Sequence, residues 1–137
     1  MGLVLDSGAP IAAERDASPV SELLAKLEHE RGETEIVLSS ITVIELEHGL
    51  HRAQTAEQTR KRREYLDTVF AAIPIEPFTR EMAQVAAKVD AAARQFGCTI
   101  PFADLPIGAV ALHFGYAIGT RNQRRFQMIP NLAIVQL

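Results

Sequence analysis

Apolar residues along the chain fall into short runs that alternate with longer amphipathic stretches. The run "LVLD" reads as a buried strand that stops at Asp6, and "SGAPIAAER" as a turn entering a helix. In "SPVSELLAKLEHER", Val20, Leu23, Leu24 and Leu27 recur at helical spacing. Ser18 is the candidate cap, Pro19 falls in the first turn, Glu22 follows as an early acid and Gly32 is the stop. "EIVLSS" is a second strand. "ITVIELEHGLHRA" follows as a helix carrying Ile44, Leu46 and Leu50, with Gly49 suited to close packing. A polar helix is expected over residues 55–72, then a strand in "AIPIEP". "TREMAQVAAKVDAAARQFG" has the clearest helical stripe, Met82, Val85, Ala86, Val89, Ala92 and Phe96, with Gly97 placed as its C-terminal cap. A further helix is expected to open at Phe102 in "PFADLPIGAVALHFG". The strand "YAIGT", a short helix or turn in "RNQRRFQM" and a last strand in "LAIVQL" complete the pattern.

Strands alternating with helices predict an α/β fold, a three-layer αβα sandwich around a central, mostly parallel sheet. The length, 137 residues, suits one domain spanning 1–137. Functional crevices in such sheets lie outside the carboxyl ends of the strands. Asp6 ends the first strand there, Glu45 follows the second, and Asp104 lies near the start of a helix, where the dipole favours an ionised group. Asn122 follows the strand "YAIGT" as a neutral oxygen ligand or donor. Unit charges about 4 Å apart repel by roughly 4 kcal/mol at an effective dielectric near 20. Carboxylates converging at one sheet edge therefore call for a cation.

Composition narrows the setting. No apolar run approaches the ~20 residues of a membrane helix. The opening residues lack the pattern of a signal peptide, and the single cysteine, Cys98, fits a reducing cytoplasm, so a cytoplasmic protein is expected. The net charge of −3 argues against indiscriminate polyanion binding. Arg121, Arg124 and Arg125 nevertheless cluster beside the proposed edge and suit RNA phosphate, whereas Arg60 to Arg63 read as a solvated helix face. His48 and His51, with no third ligand near, read as surface residues.

The set "LVLDSG", "SSITVIELEHG", "ADLPIGAVALHFGYAIGTRNQRRF" and "LAIVQL" resembles PIN-domain ribonucleases, and among these VapC-type toxins of toxin–antitoxin pairs. The resemblance runs nearly the whole chain, and its last block is the specific one. It implies a PIN-like fold and a Mg²⁺- or Mn²⁺-dependent endoribonuclease. It also implies a homodimer silenced by a cognate VapB-type antitoxin. By the same resemblance Asp6, Glu45 and Asp104 are the metal ligands and, with Asn122, the catalytic set. Thr120 stands where relatives have a nearby hydroxyl and, with Arg121 and Arg124, is assigned to substrate. Glu45 either binds a second ion or positions the attacking water.

The chain also departs from the family pattern. Gly8 replaces an Asn or Ser, Pro10 and Pro106 replace leucine-like residues, Asn122 replaces a fourth acid, and Arg125 stands where some members carry an acid. A proline inside a helix opening at Phe102 would remove a hydrogen bond near Asp104. These changes define the alternative, a PIN-like module with weakened or lost catalysis that acts by binding a protein partner. Singly, Asp6 reads as a helix-initiating carboxylate, Glu45 as a surface acid and Asp104 as a helix-start charge. Together, in this order, they favour the metal site. Gly8 also removes the second Asp that a haloacid-dehalogenase-type phosphatase needs. A receiver domain would require an acidic pair after the first strand, which is absent.

Overall fold

The computed structural model describes all residues, 1–137. Five strands form one sheet: β1 (Gly2–Leu5), β2 (Glu35–Ser39), β3 (Ile75–Glu76), β4 (Ala117–Thr120) and β5 (Ile134–Gln136). Their order is β3-β2-β1-β4-β5, and every neighbouring pair is parallel. Six helices connect them: α1 (Gly8–Arg15), α2 (Val20–Arg31), α3 (Ser40–His51), α4 (Ala56–Ala72), α5 (Arg80–Gln95) and α6 (Leu105–Phe114). None of them is long and apolar enough to cross a membrane.

The central strand β1 is buried throughout, and its alternation divides the core in two. Val4, with Val37 and Ile118, packs against Met82 and Ala86 of α5, Ile107 and Val110 of α6, and Phe126. Leu3 and Leu5, with Leu38, face the opposite layer of Leu27, Leu46, Leu50, Leu66 and Val69 from α2, α3 and α4. Both faces of a parallel sheet are thereby covered, the three-layer arrangement the sequence pattern predicts.

Three local expectations need correction. Ser18 does not cap α2: that helix starts one residue after Pro19, which occupies the cap position and makes no side-chain capping bond. Phe96 does not join the α5 stripe. The helix ends at Gln95, Ala93 rather than Ala92 is the buried alanine of its last turn, and Phe96 is 84% exposed. The last helix opens at Leu105 rather than Phe102, with Asp104 as its cap and Pro106 in its first turn. A first-turn proline removes no intrahelical bond, so the expected disruption beside Asp104 does not arise.

The basic run on α4 is a solvated face only in part: Arg60 and Lys61 are exposed, as expected, but Arg62 and Arg63 are not free. Arg62 bridges to Glu14 of α1 at 3.0 Å and donates to the Gly49 carbonyl of α3 at 3.1 Å. Arg63 grips Glu47 with two bonds of 2.8 and 2.9 Å. These cations tie three helices together. His48 and His51 are exposed, as expected.

Candidate active site

The site lies where β1, β2 and β4 end. Parallel strands present their carboxyl ends on one side, so residues just after β1 and just into α3 become neighbours despite their distance in sequence. Ser39, the last residue of β2, caps α3 by accepting the Ile41 N–H at 3.1 Å, and this sharp strand-to-helix turn puts Glu45 in the second turn of α3. Asp104 occupies the N-cap position of α6, its side chain making no capping bond.

Asp6 is almost fully buried at this edge. Its Oδ1 accepts the Gly8 N–H at 3.1 Å, and its Oδ2 accepts the Thr120 hydroxyl. Burial pushes its pKa above the ordinary carboxylate value, outweighing the opposing pull of Thr120, the Arg125 charge and the Gly8 N–H; the nearby Glu45 charge pushes the same way as burial. Glu45 is half-buried, and its Oε2 accepts the Ser7 hydroxyl at 2.9 Å.

The three acids converge on one guanidinium. Arg125 Nη2 and Nε lie 2.7 and 2.8 Å from Asp104 Oδ1. Its Nη1 lies 3.4 Å from Asp6 Oδ2, and its Nη2 lies 3.5 Å from Glu45 Oε1. Burial draws the Arg125 pKa down, but the hydrogen bond and charge of Asp104, with Glu45 and Asp6, raise it overall. The guanidinium is therefore a permanent cation here. Three carboxylates and one guanidinium leave two formal negative charges in the cluster. No group of three His, Cys, Asp or Glu side chains is laid out around an open point as a ready-made metal centre. The donors themselves are all carboxylate oxygens, the ligand type that hard divalent cations take, and their charge is only partly balanced.

Around these acids the other expected residues sit differently. Thr120 is fully buried behind Asp6 and also accepts the Asn122 N–H at 3.0 Å, so it positions a carboxylate and has no surface toward a substrate. The Asn122 side chain is exposed and hydrogen-bonds to nothing; only its backbone takes part. Arg121 and Arg124 are exposed and unpaired, and Arg121 lines a cavity of about 520 Å³ between α1 and α2, apart from the acids. Ser7 was not among the expected residues, and Arg125, expected beside this edge as a phosphate contact, instead pairs with the three acids.

The PIN domain model matches residues 3–131. The chain belongs to the PIN-domain family. Solved structures with the same fold as this PIN domain include VapBC2 from Rickettsia felis bound to a DNA fragment from its promoter. The identity there is 23%, the TM-score 0.82, and 100% of this chain and 99% of that one are covered. DNA-bound VapBC from Salmonella typhimurium also has a TM-score of 0.82, at 19% identity, covering 99% and 98% of the two chains. FitAcB from Neisseria gonorrhoeae is 25% identical with a TM-score of 0.76, covering 98% and 96%. Among curated proteins there is no match.

Proposed function

We propose that this PIN domain is a VapC-type toxin, a divalent-metal-dependent endoribonuclease acting in the cytoplasm and restrained by a VapB-type antitoxin. The convergence of Asp6, Glu45 and Asp104 within reach of a single cation carries this reading. The likeness to VapBC structures supports the antitoxin partner; the homodimeric assembly is what the family resemblance implies.

In this reading Asp6 and Asp104 hold a Mg²⁺ or Mn²⁺ ion, and Glu45 either shares it or orients the attacking water. The bound ion would polarise the phosphoryl oxygen and lower the pKa of that water. Thr120 and the Gly8 N–H keep Asp6 aimed at the cleft, and Ser7 does the same for Glu45. Arg121 and Arg124, both exposed and unpaired, are suited to backbone phosphates, contacts that fix position rather than sequence. Asn122 serves through its backbone.

The test is cleavage of RNA by the purified chain, free of any partner, with Mg²⁺ or Mn²⁺. Asp6→Asn and Asp104→Asn are expected to abolish cleavage. Equal cleavage by wild type and both variants would assign the activity to a contaminant and end this reading. The second reading, a binding module without catalysis, is favoured by the arginine among the acids. Absence of saturable Mn²⁺ uptake in calorimetry would select it.

A further inference from the structure

Resting on the metal-site reading above, we propose that Arg125 is a built-in competitor for the divalent cation, so that guanidinium and metal occupy the acid cluster in alternation.

The oxygens that Arg125 uses are those a metal would need. Asp104 Oδ1 takes two of its nitrogens, at 2.8 and 2.7 Å, while Asp6 Oδ2 and Glu45 Oε1 sit at 3.4 and 3.5 Å. A Mg²⁺ ion demands oxygens at about 2.0–2.1 Å in near-octahedral order, which leaves no room for a guanidinium on the same atoms. Two cations sharing those oxygens would also repel each other. The grip is uneven: close on Asp104, loose on the other two acids. Arg125 is thus a tethered counter-ion, strong enough to hold the carboxylates together and weak enough to be replaced.

Its mounting suits that exchange. Arg125 ends a one-turn 3₁₀ segment, Gln123–Arg125, and Phe126 after it is fully buried. The guanidinium carbon lies 5.2 Å from the Phe126 ring centroid. The backbone is therefore pinned by Phe126, while the long Arg125 side chain, itself 23% exposed, has an outward path to solvent. Exchange requires rotamer change in one side chain and no movement of the sheet.

The experiment compares Mn²⁺ binding by calorimetry in wild type and Arg125→Gln. Arg125→Gln is expected to bind at least tenfold more tightly, and Asp104→Asn in that background to lose the gain. A second measurement needs no variant. During a Mg²⁺ titration of wild type, the ¹⁵N resonance of the Arg125 Nε–H should shift and lose exchange protection as the site saturates. Equal or weaker binding by Arg125→Gln, or an Nε–H signal unchanged at saturation, overturns the competition and leaves the metal site standing. No Mn²⁺ uptake by either protein overturns the metal site and the competition with it.

Discussion

Ser7 Oγ donates to Glu45 Oε2 at 2.9 Å, joining side chains 38 positions apart. Ser7 holds the cap position of α1 but makes no capping bond, because its hydroxyl is committed to Glu45. A residue type that ordinarily stabilises its own helix has been diverted to orient a carboxylate. Ser7→Ala is expected to cost about 1 kcal/mol, a typical net hydrogen bond, because Glu45 is partly exposed, or a Tm drop of roughly 3 °C. RNA cleavage should fall with it, and Ser7→Thr should recover both. Unchanged melting and unchanged cleavage in Ser7→Ala would show that Glu45 needs no such support.

Gly8 separates stability from the site. A Cβ there would lie 3.3 Å from Asp6 Oδ1, the oxygen that accepts the Gly8 N–H. Alanine is also the better helix former, by up to about 1 kcal/mol in a helix interior. Gly8→Ala should therefore melt close to wild type while cleaving RNA more slowly, as Asp6 is pushed from its position. A parallel loss of melting temperature and cleavage would mean that general destabilisation, and not crowding of Asp6, is responsible.

Phe126 is fully buried beside α6 and fixes the turn that carries Arg125. Phe126→Ala removes a large core side chain and should cost about 3–5 kcal/mol, while Phe126→Leu costs far less. Urea denaturation would measure both. A loss under 1 kcal/mol for the alanine variant would mean that this corner of the core collapses to fill the space.

Tyr65 provides a pH test away from the site. Its hydroxyl donates to the Pro10 carbonyl at 2.7 Å, and burial, with the Glu14 charge behind it, pushes its pKa up to about 12. The hydrogen bond from Tyr116 to Glu35 raises the other tyrosine as well. Because Tyr65 holds its proton more tightly folded than unfolded, its contribution to stability is complete below pH 10 and is lost as pH rises towards 12. Absorbance titration of the phenols should accordingly begin later than in a model peptide. In Tyr65→Phe the highest-pH component should vanish. A wild-type curve centred at 10 would contradict the buried placement.

Much of the architecture was legible because its causes are local. The apolar run Leu3 to Leu5, the stripe from Met82 to Val89 and the stops at Gly32 and Gly97 are read from nearest neighbours along the chain, and they fall where expected. Errors came where one residue decided an end. Phe96 continues the α5 period on paper, yet that helix has ended at Gln95 and the ring is left outside.

The three acids could be read from the chain because each follows a strand or opens a helix, and parallel topology brings such ends together. Their partners could not. Arg121, Arg124 and Arg125 look alike in sequence, and only the burial of Phe126 turns one of them towards the carboxylates while leaving the others in solvent. Likewise nothing near Ser7 announces Glu45. Periodicity and capping act over a few residues, so composition and order suffice for helices, strands and their succession. Which charge meets which depends on side chains from separated elements sharing a small space, and that is settled when the layers pack.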